Sequence, residues 1–149
     1  MTNEEKEKFM GEAIKEAQKA FKRREVPIGA VIVKNGKIIA KAHNTREKTK
    51  NALSHAEILA VNNACKKLKN WRLIDCDIFV TLEPCIMCLG ALYNARIRKL
   101  YYGASNKSNG DIKIDYSSVI QNHKLEVESG IKESEVKELL AGFFRSRNF

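Results

Sequence analysis

Segments whose apolar residues recur every third or fourth position alternate along this chain with short runs that are apolar throughout. Phe9, Ala13, Ala17 and Phe21 fall four apart among lysines and glutamates, which predicts an amphipathic helix over residues 3–24 with that stripe in the core. After Pro27, the run Ile28–Val33, the dipeptide Asn35-Gly36 and the segment Lys37–Ala42 read as a β-hairpin. A polar connection, residues 43–53, leads to a helix over residues 55–68 with Ile58, Leu59, Val61, Ala64 and Cys65 inward or flanking. Its last turn, Lys66-Lys67-Leu68-Lys69-Asn70, is basic, which suits the negative end of a helix. Cys76–Leu82 is a short apolar strand, residues 85–95 a helix, and Lys99–Gly103 the next strand. Residues 104–116, rich in glycine, asparagine and serine, are loop. Leu125–Glu128 reads as a last strand, and residues 132–147 as a helix with Val136, Leu139, Leu140 and Phe143 on one face.

This alternation predicts an α/β fold, a three-layer α/β/α sandwich with a central mixed sheet of about five strands and a site at strand ends. No linker, repeat or low-complexity stretch divides the chain, so residues 1–149 read as one domain, long enough to bury a core. With 44% hydrophobic and 30% charged residues, the composition is that of a soluble globular protein. No apolar run approaches a membrane span, and the charged start Thr2–Lys6 is unlike a signal peptide. A membrane partner is therefore not expected. The expected location is the cytoplasm, where the four cysteines persist as thiols or metal ligands. A formal net charge of +9 favours polyanionic partners without selecting one.

The chemistry lies in two short stretches, Ser54-His55-Ala56-Glu57 and Pro84-Cys85-Ile86-Met87-Cys88. His55, Cys85 and Cys88 are three soft ligands, and three protein ligands on zinc leave a fourth tetrahedral position for water. Ser54 and Glu57 match a capping box, which would place His55 on the first turn of its helix. If Pro84 opens the next helix, Cys85 and Cys88 share a face, and the positive helix end lowers both thiol pKa values. Two helix N-termini then face each other across one metal. Taken alone, Ser54 and Glu57 are more often only a cap, and a lone Cys-x-x-Cys also serves as a redox pair or half of a structural zinc site. The combination supplies three ligands and a base in order.

Geometry sorts the remaining candidates. Cys65 stands ten positions past His55, roughly 15 Å up a helix, and Cys76 lies roughly 20 Å back along its strand from Leu82. Both read as core residues. His123, in another segment, is left open by distance. Two thiolates and a neutral imidazole cancel the charge of zinc, so its water is acidified less than in an all-histidine site and needs a base. Glu57, two positions past His55, is the candidate base.

His-x-Glu followed by Pro-Cys-x-x-Cys is the pattern of the zinc nucleobase deaminases. The chain resembles the bacterial tRNA-specific adenosine deaminases, within the zinc-dependent cytidine/deoxycytidylate deaminase superfamily, over almost its whole length. The resemblance rests on Glu25–Ala30, Ala42-His43-Asn44, His55-Ala56-Glu57, Thr81–Cys88, Asn122-His123 and Phe143-Phe144-Arg145. It implies a cytidine deaminase-like fold, one Zn2+ per chain on His55, Cys85 and Cys88, catalysis by Glu57, and a homodimer. It implies also that Val26, Pro27 and Leu82 wall a base pocket, that Asn44 contacts the target base, and that Arg145 holds phosphates. The implied partner is a tRNA anticodon loop, or other single-stranded nucleic acid, and the implied reaction turns adenosine into inosine at the wobble position. A splayed base in a loop is the substrate form such a pocket can admit. Read without the resemblance, Asn44 is a turn residue and Arg145 and Arg147 a solvated helix end.

Two departures from the family concern substrate. Asn51-Ala52-Leu53-Ser54 replaces a proline-threonine-alanine approach to the histidine. In Ala104–Gly110 the family's acidic residue is replaced by Asn106, and a glycine-alanine-glycine-serine stretch gives way to Asp111–Asp115. An asparagine does not repel phosphate, which predicts weaker discrimination against deoxyribose and activity on adenine in single-stranded DNA; the plainer reading of Asn106 is a turn residue. A free-base or nucleotide deaminase for guanine, cytosine or cytidine shares the zinc motifs, and a non-catalytic zinc module is disfavoured by Glu57.

Overall fold

The computed structural model describes residues 1–109 and 123–147. Its elements are α1 (Asn3–Lys22), β1 (Gly29–Lys34), β2 (Lys37–His43), α2 (Arg46–Thr49), α3 (Ala56–Leu68), β3 (Cys76–Leu82), α4 (Ile86–Asn94), β4 (Lys99–Ala104), β5 (Glu126–Ser129) and α5 (Glu133–Arg147). The strands form one sheet in the order β2-β1-β3-β4-β5. β1 is antiparallel to both β2 and β3, while β3, β4 and β5 run parallel. This is the mixed five-stranded α/β arrangement expected.

The three inner strands are apolar on both faces, so each face must be covered. Ala30, Ile32, Ile78, Val80, Leu100 and Tyr102 pack with α3 and α4 in one cluster. Val31, Val33, Phe79 and Tyr101 pack on the opposite side with Phe9, Met10 and Ile14 of α1 and Val136 of α5. Successive residues of a strand thus go to opposite layers, as a pleat requires. At Gly29, a Cβ would overlap the Ala13 carbonyl oxygen and lie 2.6 Å from the Ala17 nitrogen. Only glycine lets α1 cross β1 so closely.

Local expectations and structure part in several places. The hairpin turn has Asn35 and Gly36 both left-handed, at φ 51° and 73°, as predicted. α1 stops at Lys22, two residues early, and Arg24 turns left-handed at φ 60°. Residues 43–53 are not wholly loop. α2 forms there because the buried Glu25 carboxylate accepts the N–H groups of Glu47 and Lys48, at 3.0 and 2.8 Å. In α3 the fully buried apolar positions are Ala56, Ala60 and Ala64, while Ile58, Leu59, Val61 and Cys65 are only half-buried. The last helix starts at Glu133 since Lys132 is left-handed, and its buried residues are Val136 and Phe143. Asp111–Asp115 and Asn122 lie outside the described residues.

Candidate active site

The parallel strands β3 and β4 end side by side at Leu82 and Ala104, and α4 begins just beyond β3. α3 starts on the same side of the sheet. The capping box expected at its start is not formed. His55 itself is the N-cap, with extended backbone and no side-chain cap, and the Ser54 hydroxyl instead accepts from Thr49 Oγ1 at 2.8 Å. The second helix shows the same one-residue shift: Cys85 is the N-cap and Pro84 precedes it. Freed from capping, Glu57 turns into the site, where it is 3% exposed.

Two helix starts therefore converge. Among the described residues, His55, Cys85 and Cys88 form a group whose ligand atoms all lie within 4.8 Å of one another. His55 Nδ1 is 3.7 Å from Cys85 Sγ and 3.5 Å from Cys88 Sγ. Tetrahedral zinc with ordinary bond lengths separates an imidazole nitrogen and a thiolate by roughly 3.5–3.6 Å, so the donor set and its spacing fit zinc.

Charge around this cage is polarised. Burial, above all, pushes Glu57 up to about 7, and the neighbouring Cys85 adds to the rise. Cys85 is held down to about 5, first by the hydrogen bond from Cys88, then, against the cost of burial, by the N–H groups of Cys88 and Met87 at the helix start. The Cys88 thiol is pushed up, because it donates to Cys85 and is buried beside Glu57. The helix end was expected to lower both thiols. The two thiols are instead shifted in opposite directions, Cys85 down and Cys88 up.

The other predicted residues are placed unevenly. Cys65 bonds the Trp71 carbonyl and Cys76 the Ile74 carbonyl, so neither reaches the cage. His123 is tied through Nε2 to the Ile97 carbonyl at 2.7 Å. Val26 and Asn44 line a cleft of about 740 Å³ with Phe21, Arg46, Phe143 and Arg147. The Thr45 N–H, next to Asn44, donates to the Ser54 carbonyl just before α3. Pro27 is buried, and Leu82 packs against the α1/α5 cluster instead of lining the cleft. Arg145 is exposed near the end of α5, and Arg147 is the arginine of that helix that reaches the cleft. Asn106 accepts the Ser108 N–H and donates to the Glu83 carbonyl, so both ends of its amide are used within the chain. Two positioning residues escaped the sequence reading, Glu25 under α2 and Asn109, which donates to the Pro84 carbonyl. Glu25 stood only as one letter of a motif, and Asn109 as one loop asparagine among several.

Among the described residues, two buried side-chain oxygens lack a hydrogen-bond partner, Asn44 Oδ1 and Glu57 Oε1. An open three-ligand cage, a buried carboxylate beside it and a mixed five-stranded sheet define the class of hydrolytic nucleobase deaminases. Comparison with known proteins agrees. A protein-family model for MafB19-like deaminases matches residues 4–148. A tRNA-specific adenosine deaminase of Streptococcus pyogenes serotype M1 is 45% identical over 95% of this chain and 85% of its own length. A solved structure from studies of A-to-I editing by tRNA:A34 deaminases at the wobble position is 43% identical. It covers 89% of this chain and 99% of its own, with TM-score 0.81. Guanine deaminase from Bacillus subtilis is more distant, at 31% identity and TM-score 0.66 over 96% of this chain and 94% of its own. The chain belongs to the deaminase family, in the branch of the tRNA-specific adenosine deaminases.

Proposed function

We propose that this protein is a zinc-dependent hydrolase that converts adenosine to inosine at the wobble position of a tRNA anticodon loop. The observation that carries the reading is the pair of unpartnered buried oxygens among the described residues, Glu57 Oε1 and Asn44 Oδ1. Leaving such atoms unpaired costs about 1–3 kcal/mol each, a cost that a bound base and a water proton would offset. One Zn2+ would be held by His55, Cys85 and Cys88. When bound, zinc supplies the Lewis acidity that makes a water molecule nucleophilic near neutral pH.

Glu57 takes a proton from that water and delivers it to the ring nitrogen next to C6. The water oxygen bonds to C6, Glu57 then carries the remaining hydroxyl proton to the amino group, and the C6–N bond breaks so that ammonia leaves as the C6 carbonyl forms. Burial suits the carboxyl to both duties, since a group poised near neutrality can accept and donate. Asn44 offers an acceptor for the base edge, and Val26 an apolar wall. Phe21, Phe143, Arg46 and Arg147 give the cleft stacking faces and positive charge for a splayed loop. Arg145, exposed on the same helix end, adds to the field.

A homodimer fits the outer face of α3 and α4, where Leu53 and Trp71 are exposed around a depression of about 460 Å³ lined in part by Ile58 and Val61. The cytoplasm suits four free cysteines. No helix among the described residues is long and apolar enough to cross a membrane.

The deciding experiment sets an anticodon stem-loop RNA beside a matched DNA hairpin, guanine, cytosine and cytidine. Inosine should form on the RNA, at a rate that falls as salt rises. The DNA hairpin should react more slowly but measurably, since Asn106 carries no charge to repel phosphate. Turnover of guanine or cytosine with the RNA untouched would replace this reading with the free-base one.

A further inference from the structure

The β3–β4 ladder ends at Leu82 and Ala104, and its last backbone rung is the Glu83 N–H to the Ala104 carbonyl at 2.8 Å. Beyond that rung the two chains diverge. The carbonyls of Glu83 and Pro84, the two residues before the ligand Cys85, lose any strand partner. Two side-chain amides from the loop after β4 take over: Asn106 Nδ2 donates to Glu83 O at 3.4 Å and Asn109 Nδ2 to Pro84 O at 3.1 Å. The Glu83 carboxylate answers by accepting the Asn106 N–H at 3.0 Å. Asn106 and Asn109 are themselves braced, through Asn109 N to Asn106 O at 3.0 Å and Ser108 N to Asn106 Oδ1 at 3.0 Å.

We infer that Asn109, backed by Asn106, is a positioning residue that holds the Pro84–Cys85 peptide and so fixes where one metal ligand points. The Pro84 carbonyl belongs to the same peptide plane as the Cys85 nitrogen, so a bond to it limits rotation immediately before the ligand's Cα. A short side chain on a pinned N-cap has few ways to move its sulfur. The inference rests on the cage being a metal site.

The test is metal release, measured on zinc-loaded protein with excess chromogenic chelator, together with the thiolate-to-metal absorption of the cobalt-loaded form. Asn109→Asp keeps size and turn preference but cannot donate, and Asn109→Ala removes the amide altogether. Both should release zinc at least about tenfold faster than the parent and shift the cobalt band, with the metal-free melting temperature within a degree or two of the parent. Asn70→Ala is the control, because Asn70 is another loop asparagine with a side-chain bond to backbone, accepting the Arg72 N–H in the loop after α3, but makes none to a residue of the cage. It should release metal at the parent rate. Should Asn109→Ala fold poorly, Asn109→Ser, which can donate but is too short to reach, carries the same expectation. Release by Asn109→Asp at the parent rate overturns the inference, as does faster release matched by an equal loss of metal-free stability. A parent that binds no metal overturns the cage reading instead, and the two failures are thus distinct.

Discussion

The two faces of the sheet are covered by helices that use their ends in opposite ways. α1 opens with a complete capping box, Thr2 and Glu5 bonding reciprocally, and packs Phe9, Met10 and Ile14 against Phe79 and Tyr101. α3 and α4 open with the candidate ligands His55 and Cys85 as their N-caps, the His55 side chain making no cap bond, and α3 rests on the sheet through Ala56, Ala60 and Ala64. One face is built of large interlocking side chains and secured ends. The other lets a helix approach closely on alanines and gives its first residues to the site. A cap is worth about 0.5–2 kcal/mol, so the start of α3, where the His55 side chain makes no cap bond, is a standing cost on the functional side. The candidate metal cage lies on the α3/α4 layer alone, and substitutions can test how far it is coupled to the other layer.

The largest effect belongs to the cage. Cys85→Ser or Cys88→Ser should abolish metal binding and deamination together, by metal analysis and an inosine assay, whereas Cys65→Ser on the same layer should alter neither. A need for Cys65 would break the ligand assignment.

Next comes the opposite face. Phe9→Ala should cost about 3–5 kcal/mol of folding stability in denaturant titration, through the cavity left against Phe79, while zinc content per folded chain stays unchanged. Loss of zinc from the folded variant would show that the layers are not independent.

These contrasts bear on what could be read from the chain itself. His55, Glu57, Cys85 and Cys88 were legible because each ligand pair lies within one helical turn, and because the combination is rare by chance. The buried strands were legible as short apolar runs between turn residues. What escaped depends on partners far away in sequence. α2 exists because Glu25, more than twenty positions earlier, binds its N–H groups. The Ser54 cap fails because Thr49 claims the hydroxyl, and Asn109 matters through a carbonyl 25 positions away. On α3, Ala64 is buried and Leu59, Val61 and Cys65 flank the cluster as expected, but Ala56 and Ala60 escaped because small residues give a weak apolar signal, although a close helix-to-sheet approach favours them.

A milder perturbation sharpens that last point. Ala60→Leu should cost about 1–3 kcal/mol by overpacking and also speed metal release, since it lifts the helix that carries His55. A stability loss with metal release unchanged would mean that the alanine contact serves folding alone.

The smallest effect is a pH dependence on the α1 side. Burial alone would raise the Glu16 carboxyl, but hydrogen bonds from Lys19 and His43 prevail and hold it below the ordinary value of 4.5. Its contribution is therefore present above that value and lost as pH falls through the depressed one. Glu16→Gln should flatten the acid side of the stability curve relative to the parent and leave zinc in place near neutral pH. An unchanged acid limb would remove Glu16 from the account.

The central claim is that Glu57 moves protons and is not a ligand. The measurement that reaches it most directly is zinc content and single-turnover inosine formation on one preparation of Glu57→Gln. The account predicts one zinc per folded chain, as in the parent, with inosine formation slowed by about 10²–10⁴-fold. Turnover near the parent rate, or a folded variant without zinc, would contradict it.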